Sequence, residues 1–142
     1  MRRLLAALAA LTLTTACTPN LLTRWWELRA TDPALAEEVA HNYLAQRAEL
    51  TAGRSCAQWF DLAVEQGWPL EQWPTMARVM WGESRCDPDA YNRSGATGLM
   101  QVMPMWADDC GGAPADLYDP AFNLACALHV HEAQGWTAWS AY

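Results

Sequence analysis

Met76, Val79, Met80 and Glu83 fall at offsets 0, 3, 4 and 7, the spacing of one helix face. Three of the four are apolar, so the face should be buried, and the fourth is a carboxylate in what would be the last turn. An unpaired carboxylate is costly to bury as an ion, so in such a place it tends to keep its proton. Pro88 stops the helix just beyond, and a Gly-containing loop follows. A protonated carboxyl at the end of a core helix, beside an open loop, suits general acid catalysis. The same position would also suit a Glu whose side chain simply reaches water from a helix end. Other chemistry has less behind it. Ser84 has no His nearby in sequence and no GxSxG context, which argues against a serine hydrolase. Asp87, Asp89 and Asn92 offer oxygens but lack the spacing and terminal Glu of a calcium loop. There is no CxxC or HxxxH, and His129 and His131, two apart, fall on different helix faces. No metal and no other cofactor is expected.

The elements that must position Glu83 are mostly helical. Pro74 suits a first turn, where its missing N–H leaves nothing unpaired. Upstream, Ser55 is placed to cap a helix running through Trp59, Phe60, Ala63 and Val64 and ending at Gly67. Asp32 and Pro33 open an earlier helix, with Leu35, Val39 and Tyr43 on one face and Gly53 as its stop. Glu37, Glu38, Gln46 and Glu49 would face solvent, so this helix reads either as a stalk or as a helix packed on the core. Downstream, Asn92, Ser94, Gly95 and Gly98 are turn residues, and Leu99 to Met103 suggests a short extended piece. Pro104 begins a short helix closed by Gly111 and Gly112. Asp119 and Pro120 repeat the cap-plus-proline signature before a helix through Phe122, Leu124, Leu128 and Val130 to Gly135. The fold expected is mostly α with a small β-hairpin, preceded by a short helical N-terminal region. A boundary near Gly53 separates a linker or helical stalk at 17–54 from the main domain at 55–142.

The 142 residues are one domain's worth of chain, and 52% hydrophobic content with 9 Trp excludes disorder for most of it. Arg alone supplies the positive charge, the formal net charge is −7, and no basic cluster follows Arg2 and Arg3. That pattern argues against nucleic acid as the partner. Residues 1–16 read as an export signal: a charged start, an apolar run from Leu4 to Leu13 too short to span a bilayer comfortably, and a small-residue exit at Thr14, Thr15 and Ala16. Cys17 directly after it suits lipid attachment, as in bacterial lipoproteins, with ordinary cleavage near Ala16 as the alternative. Five Cys is an odd count. With Cys17 carrying lipid, Cys56, Cys86, Cys110 and Cys126 are left for two disulfides, in any of three pairings.

Glu83-Ser84, then Gly95-Ala96-Thr97-Gly98-Leu99-Met100-Gln101, Pro104, Asp119-Pro120 with Asn123, and Ala141-Tyr142 together resemble the Slt-type soluble lytic transglycosylases. The resemblance covers residues 55 to 142, and it is the ES and GLMQ pieces at this separation that make it specific. It implies a goose-lysozyme-like fold and peptidoglycan as substrate. By position, it makes Glu83 the catalytic acid and Tyr142 the hydroxyl that hydrogen-bonds it. Ser84, Gly98, Leu99, Met100 and Gln101 would line the glycan cleft, and Asn123 would be structural. The chain stops at Tyr142, where the family continues with Asn.

The reaction so implied is cleavage of the bond between N-acetylmuramic acid and N-acetylglucosamine with a single Glu, leaving 1,6-anhydro ends. A lysozyme-type hydrolase of the same bond, and an inactive wall-binding lipoprotein, are the alternatives. Glycan strands of peptidoglycan, and a membrane reached through a lipid anchor, are the expected partners of an exported monomer.

Overall fold

The computed structural model describes residues 21–142; Cys17 and the stretch read as an export signal lie outside them. Among the described residues there are five α-helices, connected by turns, loops and short 3₁₀ segments. Helix α1 covers Leu21–Thr31, α2 Pro33–Thr51, α3 Phe60–Glu65, α4 Trp73–Ser84 and α5 Pro120–Gln134. Both cap-plus-proline signatures work as local chemistry dictates. The Asp32 carboxylate accepts the Leu35 N–H at 3.1 Å, and the Asp119 carboxylate accepts the Phe122 N–H at 2.8 Å. Each satisfies one of the orphan donors of a helix start.

The core gathers around α4. Met76, Val79 and Met80 are fully buried, with Phe60 and Trp73 meeting edge to face at 5.1 Å between ring centroids. Leu99, Met100, Leu117, Leu124 and Ala127 close the other side. Two disulfides fasten this small core, Cys56–Cys86 and Cys110–Cys126. The first ties the chain ahead of α3 to the turn just after Glu83; the second ties the loop beyond Trp106 to the middle of α5. The loops they close, with separations of 30 and 16 residues, correspond to about 3–4 kcal/mol each in chain-entropy terms. Titration of the denatured, unreduced mature protein should therefore find none of these four thiols. A count above one, the most Cys17 can supply, would break the pairing.

Three local expectations differ from the structure. Ser55 does not cap a helix: Cys56 takes a left-handed conformation at φ 64° and the chain enters α3 through a 3₁₀ turn, Ala57–Trp59. The disulfide to Cys86 closes at that bend. Leu99 to Met103 is not an extended piece. Residues 98–101 form a tight turn, and the hairpin reduces to isolated bridges pairing Thr97 with Tyr91 and with Val102. The inward face of α2 is also rotated from the one read at Leu35, Val39 and Tyr43. Val39 is exposed, whereas Ala36, Tyr43 and Leu50 are covered.

The C-terminal half of α2 packs on the core instead of standing away from it. Tyr43 donates to Asp61 at 2.8 Å, and Arg47 holds the same carboxylate through Nε and Nη2 at 2.7 and 2.8 Å. The Arg47 guanidinium holds the Asp61 carboxyl below its usual range, opposed by partial burial and helped by the Tyr43 hydroxyl. Burial, and then the bond to Asp61, pushes the Tyr43 hydroxyl up. Because the folded pKa of Asp61 is the lower one, its contribution to stability is present above the unfolded value of ~3.9 and lost as pH falls through the folded value. Asp61→Asn should accordingly melt below wild type at neutral pH, with the gap closing as pH falls below the unfolded value of ~3.9 and through the lower folded one. An equal gap at both ends of a thermal-melt series would mean the pair contributes shape and not charge.

Candidate active site

Glu83 stands in the last turn of α4, one face above Met76, Val79 and Met80, but it is half-buried and not enclosed. Nor is its carboxylate alone. Oε1 accepts the Ala141 N–H at 3.1 Å and the Ser140 hydroxyl at 3.3 Å. Oε2 has no hydrogen-bond partner among the described residues. The acid therefore has one oxygen held and the other without a partner among the described residues.

The turn after Glu83 is fixed tightly. Arg85 and Cys86 both have positive φ, 58° and 66°, an uncommon state for residues with a Cβ. The disulfide to Cys56 and a 3.0 Å bond from Trp59 Nε1 to the Cys86 carbonyl hold them there. Gly82 is the only residue that fits its position, because a Cβ would run into the Ala141 side chain. The same approach brings the Ala141 N–H to Glu83.

The Gly98–Gln101 turn is held from inside. Asn123, fully buried on α5, accepts the Met100 N–H at 2.9 Å and donates to the carbonyls of Thr97 at 2.9 Å and Leu117 at 2.8 Å. Gly98, at φ 76°, has no room for a Cβ against Asn123 and the Leu117 carbonyl. The Met100 carbonyl accepts Trp139 Nε1 at 2.6 Å. One residue of the turn is therefore gripped by α5 and by the C-terminal segment at once, and that segment goes on to hold Glu83. Trp139→Phe removes the donor together with part of the buried indole, leaving the Met100 carbonyl unpaired, so it should cost at least about 1–3 kcal/mol in denaturant unfolding. A loss below ~0.5 kcal/mol would show the bond to be replaceable.

These contacts redistribute the expected roles. Ser84 is buried and its hydroxyl donates back to the Met80 carbonyl at 3.1 Å, so it offers nothing to a ligand. Leu99 and Met100 are wholly buried and Gly98 is the pivot of the turn. They shape the site and do not touch its surface. Gln101 is the member of the motif that faces a cavity. Its own amide nitrogen bonds the carbonyls of Ala90 and Gly98, both at 3.0 Å, and its φ is 49°. The cavity, of about 250 Å³, is also lined by Met103, Met105, Trp106, Gln134 and Trp139. Glu83 is not part of that lining. Tyr142 does not hydrogen-bond Glu83: its ring stacks on Trp136 at 6.2 Å and carries the Arg78 guanidinium 5.8 Å from its centroid. A backbone N–H and the Ser140 hydroxyl take the place expected for it. Ser140 and Trp139 lie too far along the chain from Glu83 for spacing to reveal them, and an amide donor has no sequence signature at all. Cys17 lies outside the described residues, among which no cluster of His, Cys, Asp and Glu suits a metal ion.

A mostly helical, lysozyme-like domain with a carboxylate rooted in its central helix is the class that fold and site define. Residues 66–131 match the family described as Transglycosylase SLT domain. The chain is 38% identical over 65 residues to proteins named "Probable transglycosylase IsaA" from Staphylococcus aureus strains bovine RF122 / ET3-1 and Newman. The match covers 46% of this chain and 24% of each relative. No solved structure matches the chain.

Proposed function

We propose that this protein is an exported lytic transglycosylase that cuts peptidoglycan strands with Glu83 as its one acid–base group. The observation that carries the reading is the state of that carboxylate: rooted in the core helix, one oxygen fixed by Ala141 and Ser140, the other without a partner among the described residues. A proton on Oε2 passes to the bridging oxygen between N-acetylmuramic acid and N-acetylglucosamine as the C1–O bond breaks. Glu83, now ionised, takes the proton of the muramoyl 6-hydroxyl, whose oxygen bonds C1 to close the 1,6-anhydro ring. The nucleophile comes from the substrate, so one carboxylate suffices. A two-carboxylate glycosidase needs a second acid about 5–9.5 Å away. Asp87 and Asp89 are exposed in the turn beyond the helix, where Asp87 accepts the Asp89 N–H at 3.0 Å.

The cavity lined by Gln101, Met103, Met105 and Trp106 would take sugar rings, with apolar and aromatic surface against their faces and amides for their hydroxyls. Residues 55–142 would form the catalytic unit, joined to the helical region at 17–54, with Cys17 as the point of lipid attachment. The two disulfides support maturation in an oxidising compartment. Mass spectrometry of digested peptidoglycan tests the reading. Anhydro-muramoyl ends are expected; reducing ends would mean a hydrolase, and uncut strands an inactive wall-binding domain.

A further inference from the structure

Met103 and Met105 stand on the wall of the cavity that also presents Gln101, Trp106 and Gln134. We infer that these two thioethers are a reversible oxidation site, where a peroxide makes methionine sulfoxides that weaken the seating of a sugar ring. The effect on strands rests on the transglycosylase reading and its sugar cavity; the modification rests on exposure and sulfur chemistry alone.

Local backbone turns the two side chains outward. Val102 pairs with Thr97 through both of its backbone groups at 3.0 Å, and its side chain is buried. Met103 follows in extended conformation, φ −71° and ψ 138°, so its side chain alternates to the open face. Pro104 then starts the 3₁₀ turn that carries Met105. Met103 is 37% exposed and Met105 76%, whereas Met76, Met80 and Met100 are fully buried in the core. Thiolates react with peroxides ahead of thioethers, but Cys56, Cys86, Cys110 and Cys126 are tied up in disulfides. Among the described residues, the sulfur open to a two-electron oxidant is therefore that of Met103 and Met105.

The step balances without a cofactor. Sulfur gives an electron pair to one peroxide oxygen, the O–O bond breaks, the S–O bond forms, and the other oxygen leaves as water after taking a proton. A dithiol reverses it, yielding the thioether, a disulfide and water. The sulfoxide is polar and hydrated where the thioether was apolar and polarisable. Val102, Val130 and Trp139 give this wall a buried apolar backing, so a sugar face laid on it must strip water from the new oxygens. A sulfoxide oxygen can accept from a sugar hydroxyl, but the amides of Gln101 and Gln134 already offer such partners. The lost apolar contact has no replacement, so binding weakens. The wall is also continuous with the acid's support: Ala138 and Trp139 line it, and the next two residues, Ser140 and Ala141, hold Glu83.

The probe is hydrogen peroxide, applied to the full mature protein under conditions where circular dichroism shows the fold intact. Fragmentation of the peptide that spans Met100 to Met105 compares the three sulfurs within one molecule. Met103 and Met105 should gain oxygen at least about tenfold faster than Met100. Strand binding is then measured on Glu83→Gln, which keeps the wall but does not cut. Its affinity for purified peptidoglycan strands should fall about three- to tenfold on oxidation and return after treatment with a methionine sulfoxide reductase and a dithiol. With Met103→Leu/Met105→Leu added, peroxide should change nothing relative to that variant's own untreated form. Oxidation of Met100 as fast as of Met105 would overturn the site. So would unchanged strand affinity once both sulfoxides have formed, or an equal loss of affinity in the double Leu variant. Cleavage by wild type is scored separately. An oxidation-sensitive binder that leaves strands uncut would sink the enzymatic reading and keep the site; cleavage with an affinity indifferent to peroxide would do the reverse.

Discussion

Glu83→Gln should lower release of anhydro-muropeptides by at least ~10²-fold, toward the ~10⁴-fold upper range for loss of acid–base catalysis. The substitution keeps the shape of the side chain. Its amide oxygen can still accept from Ala141 and Ser140, the two groups that hold Oε1. What disappears is the proton on the other atom, since an amide nitrogen cannot pass one to a glycosidic oxygen and take one back. Strand binding should survive, because Gln101, Met103 and Trp106 are untouched. The measurement is a comparison of soluble muropeptides released from purified wall by the two proteins, with circular dichroism to show that the variant is folded. A variant that releases muropeptides at the wild-type rate would remove Glu83 from the mechanism. A sharper comparison is Ser140→Ala, which takes away the longer of the two bonds and leaves the backbone donor; its loss should be much smaller.

Asn123→Asp should be the most destabilising single-atom change in the domain, by about 3–5 kcal/mol. Asn123 is fully buried and uses its amide in both directions, accepting from Met100 and donating to two carbonyls. An ionised Asp can only accept, so the Thr97 and Leu117 carbonyls would each lose a donor and face a negative charge at hydrogen-bond distance. Protonation would return at most one of the two donors. For a chain of this size the loss corresponds to roughly 10–17 °C in Tm. Because Asn123 also pins the turn that carries Gln101, activity should fall even at temperatures where the variant stays folded. A variant melting within about 2 °C of wild type would show that the three bonds can be replaced by relaxation of the turn.

The cap-plus-proline pairs Asp32-Pro33 and Asp119-Pro120 were legible in the sequence because they act locally: a carboxylate meets an N–H three residues on whatever the rest of the chain does. So was the Met76, Val79, Met80 and Glu83 face of α4, since helical periodicity depends only on spacing. The ES and GLMQ pieces, by their resemblance, led to the family over residues 66–131. Four cysteines were legible as two bonds, but not which two. That depended on how α3, α4 and α5 pack, which placed Cys56 beside Cys86 and Cys110 beside Cys126. Tertiary structure also decided who holds the acid. Ala141 acts through its backbone N–H, which every residue but proline possesses, and it arrives from 58 positions away because Gly82 leaves room for it. The division within the GLMQ turn was settled the same way. Only packing against Asn123 and Trp139 turned Leu99 and Met100 inward and left Gln101 at the surface.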